Sequence, residues 1–190
     1  MKASKIQEKI LFSRLKGKDK DAFVKVYDLY LDNIYRFIYF KIGNETEAQD
    51  LTSTVFLKAW NYIQSKGIAE YKTLKSLIYK IARNTVIDHY RKNQNVNSIS
   101  IDGERGNTDI EDKKQDIARN VEIKSDYNLI QKKLLDLKDE YREVIILYYI
   151  EEMSVGEISK ILDKSRGNIR VLVFRALKAL KELIEEENKK

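Results

Sequence analysis

The chain contains no proline in 190 residues, and this absence restricts its fold more than any other feature of the sequence. Proline removes a backbone donor and clashes with the preceding helical turn, so a chain without it can form long uninterrupted helices. Glycine is also scarce, with seven residues, and few segments alternate apolar and polar residues as strands do. The sequence therefore predicts an all-α fold.

Apolar residues at spacings of three and four predict where the helices lie. Local end signals support several boundaries: Gly43 as the residue after a helix, Asn44 and Ser165 as N-caps, and a capping box from Ser154 to Glu157. The predicted helices are 6–15, 21–42, 45–64, 73–92, 127–137, 137–151, 155–162 and 165–187.

A polar segment divides these helices into two sets. Residues 94–125 are rich in Asn and Asp and contain little apolar surface. Such a segment cannot bury enough apolar area to offset the entropy lost on ordering. The sequence thus predicts two helical domains, 1–93 and 126–190, joined by a flexible linker at 94–125. A shorter loop is predicted from Gln64 to Tyr71.

Residue types absent from the chain exclude several function classes. There is no cysteine, and His89 is the single histidine, which disfavours thiolate metal sites, classical triads and most zinc enzymes. His89 is expected to be a surface or packing residue. No apolar run is long enough to span a membrane, and the N-terminal segment lacks the pattern of a secretion signal. We expect a soluble cytoplasmic protein that needs no cofactor or metal and is not an enzyme.

Charge is distributed unevenly along the chain. Residues 1–92 contain 18 Lys and Arg against 10 Asp and Glu, and the segment 164–181 contains six basic residues and no acid. A basic face favours a polyanionic partner such as nucleic acid. The alternative interpretation is a set of merely solvated charged helices.

The acid-free segment follows a short helix and a tight turn, Asp163 to Ser165, which together predict a helix-turn-helix. The N-terminal residues of the second helix of such a motif reach base edges in the major groove, where carboxylates would be repelled by phosphates. The alternative is a bundle helix with a basic outer face. Exposed positions are predicted for Arg166, Asn168, Arg170 and Lys178, and inward positions for Ile169, Val173, Ala176, Leu177 and Leu180.

The helix predicted at 73–92 carries a second basic face. Its polar side contains Ser76, Lys80, Arg83, Asn84, Ile87 and Arg91. Basic side chains can hold phosphates, and the flanking Tyr79 and Tyr90 could stack on unpaired bases. The alternative is that these tyrosines are core residues and the lysines are solvated.

Three segments together resemble bacterial RNA polymerase sigma factors, in the order that this family has them. Residues 48–60, AQDLTSTVFLKAW, resemble the polymerase-binding helix, and residues 77–92, LIYKIARNTVIDHYRK, resemble the helix that reads and melts the −10 element. Residues 137–150 with 154–162 resemble the −35-reading domain. The two-domain layout is similar to that of the extracytoplasmic-function (ECF) group, and the resemblance covers nearly the whole chain.

The resemblance implies a factor that binds core RNA polymerase, through the β′ clamp helices and the β flap, and directs it to promoter DNA. It also implies a base-capturing loop at 64–72, and an anti-sigma factor that clamps between the two domains as a further partner. The implied polymerase-binding residues are Asp50, Leu51, Phe56, Leu57 and Trp60, with core positions as the alternative for Leu51 and Trp60. The implied −10 residues are Lys72, Lys75, Lys80, Arg83, Asn84, Asp88, Arg91 and Lys92. The implied −35 residues are Ser165, Arg166, Asn168, Arg170 and Arg175.

Two departures from the family pattern lie in the predicted helix-turn-helix. Asp163 occupies the turn position where the family often has glycine, and Asp tolerates the left-handed conformation better than most residues. Val171 and Leu172 replace a usual serine and a usual basic residue. The alternative function for the whole chain is a stand-alone helix-turn-helix regulator that binds DNA without polymerase.

Overall fold

The computed structural model of the protein describes residues 5–68, 74–97 and 130–187, with side chains for 10–68, 74–93 and 130–186. All regular secondary structure in these ranges is helical, in agreement with the prediction from composition. No helix in them combines the length and the apolar character that crossing a bilayer requires. The helices are α1 (Lys5–Lys16), α2 (Lys20–Ile42), α3 (Glu45–Lys66), α4 (Leu74–Asn97), α5 (described from 130 to 136), α6 (Asp139–Ile145), α7 (Val155–Leu162) and α8 (Arg166–Glu187).

Helices α1–α4 form a first helical group. Helices α2, α3 and α4 pack against one another, and α1 packs on α2. Apolar side chains at helical spacing fill the space between them, and removing this area from water stabilises the group. Fully buried members include Val26, Phe37, Ile38, Val55, Ile63, Ile78 and Val86.

The corner between α2 and α3 is formed by Gly43 and Asn44, as predicted. Gly43 has φ +80°, and its N–H donates to the carbonyl of Tyr39 at 2.8 Å. The Asn44 side chain accepts from the N–H of Glu47 at 3.0 Å. These bonds satisfy helix-end groups that would otherwise lack partners.

Replacing Gly43 by alanine is expected to lower the free energy of unfolding by about 1–2 kcal/mol, because the left-handed conformation disfavours a Cβ. A Cβ here would also lie 2.6 Å from Cδ1 of Leu135 on α5, so that side chain must move. Urea unfolding followed by circular dichroism measures the change. Gly167 lies within α8, where an added Cβ meets only Ser165 Oγ at 3.9 Å, an ordinary van der Waals contact, so Gly167→Ala serves as the control and should be neutral or stabilising. Equal stability of the two variants would contradict the prediction.

Helices α5–α8 form a second helical group. Helix α8 packs mainly on α6 and also on α7. The aliphatic side chains buried around this packing belong to one hydrophobic core that also contains those of the first group. Its fully buried members include Leu134, Val144, Ile146, Leu147, Ile158, Ile169 and Ala176.

A single π-helical turn, Ile146–Ile150, follows α6 directly. The N–H of Glu151 donates to the carbonyl of Ile146, five residues earlier, at 2.9 Å. The helix predicted at 137–151 therefore starts at Asp139 and changes type after Ile145. Such wider turns occur mostly as single insertions within α-helices.

Other helix ends differ from prediction by a few residues. Helix α3 runs to Lys66, and α4 runs to Asn97, so the first residues of the predicted 94–125 linker are helical. The rest of that linker, 98–125, lies outside the described residues, as do residues 69–71 of the predicted loop and residues 72–73 that follow it.

Candidate nucleic-acid interface

The turn between α7 and α8 has the geometry of a helix-turn-helix. Ser154 and Glu157 form the predicted capping box at the start of α7, and Asp163 ends α7 in the left-handed conformation with φ +52°. Ser165 Oγ accepts from the N–H of Asn168 at 3.2 Å and caps the start of α8, again as predicted. The turn therefore begins with the left-handed backbone of Asp163 and ends with the side-chain cap of Ser165.

The predicted −35 residues all lie on the exposed side of the α8 start. Ser165, Arg166, Asn168, Arg170 and Arg175 are each exposed. Within the part of the chain that the structure describes, none of the three arginines forms an ion pair, and the first acid of α8 is Glu182. The exposed half of this helix thus offers cations without competing carboxylates.

The inward face of α8 differs from the predicted one at two positions. Leu177 is 45% exposed, so the prediction that it packs inward is wrong, whereas Leu172 is buried. A basic residue at position 172 would therefore point into the core, and its absence removes nothing from the exposed face. The exposed face also carries Val171, noted above as a departure from the family pattern, and Phe174, which the sequence analysis did not single out.

The basic residues of α4 face the second helical group. Lys75 Nζ lies 2.9 Å from Glu157 Oε1, Lys80 Nζ lies 2.7 Å from Asp163 Oδ1, and Arg83 Nε lies 3.1 Å from Glu143 Oε2. The remaining predicted −10 residues are placed differently. Asn84, Arg91 and Lys92 are exposed, Asp88 lies 3.6 Å from Lys58, and Lys72 lies outside the described residues.

The two tyrosines of α4 are packing residues. Tyr79 is 1% exposed, and its hydroxyl donates to Glu151 Oε2 at 2.7 Å. Burial, together with the nearby Glu151 charge, raises the pKa of Tyr79 far above its usual range. The Tyr90 hydroxyl donates to the carbonyl of Lys41 at 2.7 Å, and burial raises the pKa of Tyr90 as well. The expectation that Tyr79 stacks on a base is wrong, and Ser76 is buried too.

Electrostatics in the second group follow from these contacts. Partial burial by itself would raise the pKa of the Glu157 carboxyl, but hydrogen bonds from Lys75 and Ser154 bring the pKa below its usual value. Glu157 is therefore held as a carboxylate that joins the start of α7 to α4.

In contrast to the charged surfaces of α4 and α8, the cleft between α2 and α3 is lined mainly by apolar side chains. Leu57 is 62% exposed and Val24 is 56% exposed at this cleft. Two further predicted residues form its floor: Phe56 is buried with its ring 4.7 Å from that of Tyr27, and the ring of Trp60 lies 4.9 Å from that of Phe23.

The other predicted polymerase-binding residues are not among those that line this cleft. Asp50 is exposed and Leu51 is half-buried on α3. Val24 was missed at the sequence level because it lies outside the apolar stripe of α2.

Acidic and imidazole groups in the described ranges do not converge. No set of three His, Asp or Glu residues there is placed to hold a metal ion. His89 Nε2 lies 3.0 Å from Glu47 Oε2 and 3.1 Å from Asn93 Nδ2, which fits the predicted packing role.

Comparisons with known proteins agree with this geometry. The family model for sigma-70 region 2 matches residues 26–96, and the model for sigma-70 region 4 matches residues 127–180. The chain is 32% identical to the ECF RNA polymerase sigma factor SigW of Bacillus subtilis over 180 residues, covering 91% of this chain and 94% of that protein.

Solved structures share the fold. CnrH, solved in complex with the cytosolic domain of CnrY, superposes with a TM-score of 0.69 at 18% identity and covers 94% of this chain and 97% of that one. The sigma factor RpoE of Bartonella quintana, solved with the anti-sigma factor NepR, gives a TM-score of 0.65 at 24% identity, covering 86% and 96%.

Proposed function

Because the chain belongs to the extracytoplasmic-function group of RNA polymerase sigma factors, which direct RNA polymerase to promoters, we propose that its two helical groups divide promoter recognition between them. In this proposal residues 1–93 bind core polymerase and the −10 element, and residues 126–190 bind the −35 element. Residues 94–125 link the two. The protein acts in the cytoplasm as an initiation factor, and polymerase performs the catalysis.

The cleft between α2 and α3 is the proposed docking site for the β′ clamp helices. Leu57 and Val24 present apolar area to solvent there, and Trp60 and Phe56 support them from below. Exposed apolar clefts of this kind mark protein interaction sites. Asp50 and the half-buried Leu51 flank the contact.

Helix α4 is the proposed −10-reading helix. Lys75, Lys80 and Arg83 would hold the phosphates of the separated strands, and the exposed Asn84 would reach a base edge. Asp88, Arg91 and Lys92 extend the same helix, and Lys72 and the 64–72 segment precede it. Base stacking by Tyr79 is not part of the proposal, because its ring is buried.

Helix α8 is the proposed −35-reading helix. Ser165, Arg166, Asn168 and Arg170 lie at its exposed N-terminal end, which enters the major groove in helix-turn-helix proteins. Arg175 lies further along and would contact backbone phosphate. The second group would also contact the β flap.

An anti-sigma factor is a further proposed partner. CnrH was solved in complex with the cytosolic domain of CnrY, and RpoE was solved with the anti-sigma factor NepR. A partner of this kind would bind this chain at its two helical groups.

One observation supports the overall proposal most strongly. The two family matches, 26–96 and 127–180, coincide with the two helical groups that carry the basic residues of α4 and α8. The match to sigma-70 region 2 disfavours the alternative of a stand-alone regulator, because a regulator that works without polymerase does not need that region.

Reconstitution with bacterial core polymerase tests the proposal. The chain and core together should produce promoter-specific transcripts from a genomic library, and neither should do so alone. Binding of a defined DNA site by the chain alone, without any effect of core, would overturn the proposal in favour of the stand-alone regulator.

Replacing Arg170 by glutamate should reduce transcription from a −35-dependent promoter by about tenfold or more, because a base-contacting arginine is typically worth 1–3 kcal/mol. Binding to core polymerase should not change. Lys181→Glu makes the same charge change about 16 Å further along α8 and serves as the control. Transcription of Arg170→Glu at the level of that control would refute the −35 assignment.

A further inference from the structure

Helix α8 carries two exposed apolar side chains in the middle of its basic face. Phe174 is 71% exposed and Val171 is 49% exposed, and no large apolar side chain among the described residues is more exposed than Phe174. The two residues are three positions apart, so they are neighbours on the helix surface. Adjacent apolar side chains that face solvent commonly mark an interaction site. We call Val171 and Phe174 the apolar pair of α8.

The charges beside the apolar pair indicate the kind of partner. On a projection at about 100° per residue, the pair lies between Arg170 on one side and Arg175 on the other. Both arginines are exposed, and the first acid of α8 is Glu182, about two turns beyond Arg175. A cationic border of this kind favours a polyanionic partner, and duplex DNA is the polyanion to which α8 was assigned above.

A shallow cleft of about 320 Å³ lies beside the apolar pair. Its lining residues are Val171, Leu172, Asn168, Arg175, Lys164 and Glu140. Glu140 is the one acid among them, and its carboxylate lies 2.8 Å from Lys164 Nζ. Because that carboxylate is already paired with a cation, a phosphate can approach Arg175 without meeting an uncompensated negative charge.

The spacing of the apolar pair suits adjacent base pairs. Three residues correspond to about 4.5 Å along the axis of a helix. Successive base pairs of a duplex are about 3.4 Å apart. With the N-terminal half of α8 in the major groove, the two side chains therefore reach the edges of neighbouring base pairs. Leu177 and Ile184 are exposed as well, but they lie further from the helix end that enters the groove.

The base edges offer one apolar group to side chains of this kind. In the major groove thymine presents its C5-methyl group, whereas guanine, cytosine and adenine present hydrogen-bond donors and acceptors. Valine and phenylalanine side chains form no hydrogen bonds, so against a polar edge they would displace water from groups that then lack a partner. Contact with a thymine methyl group instead removes apolar area from water on both sides.

We propose that Val171 and Phe174 are specificity-determining residues of the −35 interface, and that they select thymine at neighbouring base pairs by contact with its C5-methyl group. The proposal rests on the assignment of α8 to −35 DNA given above. The arginines on either side of the apolar pair supply charge and hydrogen bonds. The apolar pair adds a preference for a methyl group, which a guanidinium does not provide.

A selection experiment identifies the bases that the apolar pair reads. Full-length chain bound to core polymerase selects from a pool of duplex DNA with a random central segment. Wild-type chain should enrich sites with thymine at one or two neighbouring positions of the −35 element. Val171→Ser and Phe174→Ser should each lose a thymine preference and keep the preferences at other positions. Both side chains are exposed, so the variants should fold, which circular dichroism checks.

Removal of the methyl group alone tests the contact directly. In a selected duplex, each thymine of the −35 element is replaced in turn by uracil, which keeps the O4 acceptor and the base pairing but lacks the methyl group. Loss of one buried methyl contact should weaken binding of the wild-type complex about fourfold. The same exchange should have no effect in the variant that lacks the side chain reading that position.

Ile184→Ser is the matched control for both variants. Ile184 is 39% exposed on the same helix and lies about 15 Å beyond Phe174. This variant should keep the wild-type response to uracil at every position. The methyl contact is overturned if no thymine of the −35 element responds to uracil. It is overturned equally if the response persists in both Val171→Ser and Phe174→Ser.

The outcomes separate this inference from the proposed function. If wild-type chain and core produce promoter-specific transcripts but uracil has no effect, thymine selection is overturned and the sigma function stands. If they produce no transcripts, the proposed function fails, and the same selection and uracil exchange with the chain alone decide whether the apolar pair reads thymine. A pool that yields no preferred sequence in either format overturns the inference.

A protein partner for the apolar pair would give a different result. In that case Phe174→Ser would weaken binding to core polymerase, and its response to uracil would remain that of the wild-type chain. This result would overturn thymine selection and would assign the apolar pair to a protein contact.

Discussion

Replacement of Arg142 by methionine is expected to lower the free energy of unfolding by about 4 kcal/mol, the largest loss of stability that we predict for an exchange of similar size. The guanidinium donates to four backbone carbonyls, those of Leu134, Leu135, Leu137 and Lys41. Methionine retains most of the stem but offers no donor. Two of the four carbonyls keep another partner: that of Lys41 accepts from the Tyr90 hydroxyl, and that of Leu134 accepts from the N–H of Leu137 at 3.2 Å.

The cost is high because three of these carbonyls lie at or just after the end of α5. The last carbonyls of a helix have no partner within it, and Arg142 supplies one from the following helix. Arg142 is 9% exposed, so water does not readily replace the guanidinium. An orphaned buried acceptor costs about 1–3 kcal/mol.

Urea unfolding of the full-length chain, followed by circular dichroism, measures this loss. Arg175→Met is the matched control, because Arg175 is exposed on α8, and its effect should stay within about 0.5 kcal/mol. If Arg142→Met were as stable as this control, the carbonyl contacts would have no role in holding α5.

Replacement of Leu57 by glutamate is expected to weaken binding to core polymerase by at least about 30-fold while leaving stability unchanged. Leu57 is 62% exposed at the cleft between α2 and α3, so the folded chain tolerates a charge there. In a docked complex the same carboxylate would lie in a desolvated apolar contact without a partner. Central apolar residues of interfaces typically account for 2 kcal/mol or more.

Titration of labelled chain with core polymerase measures this affinity. Ile130 on α5 is 47% exposed, and Ile130→Glu makes the same chemical change away from the cleft. Unchanged affinity of the Leu57 variant would show that the cleft is not the docking site. Weakening of both variants alike would point to a general effect of added charge.

The sequence was most informative where structure depends on neighbours in the chain. Gly43, Asn44 and Ser165 were predicted as helix-end residues, and the structure confirms each, because capping is decided within a few residues. The helix-turn-helix followed from the same local chemistry, with Asp163 adopting the left-handed conformation expected of it.

Contacts between distant segments were beyond such reasoning. A helical wheel places Tyr79 beside the polar face of α4, but Glu151, 72 positions later, draws its hydroxyl into the core. Likewise, a helical wheel does not locate the centre of the α8 packing face closely, because that centre depends on where α6 packs. Leu177 was therefore predicted to be buried but is exposed, whereas Leu172 is buried. From the sequence, Lys80 was predicted to be a free cation, because its partner Asp163 lies 83 positions away along the chain.

The π-helical turn after α6 has a consequence for the length of this segment. Its wider ring holds one residue more than an α-helical turn, so Glu151 leaves the turn at a different angle from the one that α6 alone would give. Deleting any one residue of 146–150 would rotate the chain that follows by roughly 100° relative to α6. Glu151 would then point away from Arg36 and Tyr79. Exchange of one aliphatic residue for another changes only local packing, so the number of residues in this stretch is constrained more tightly than their identity.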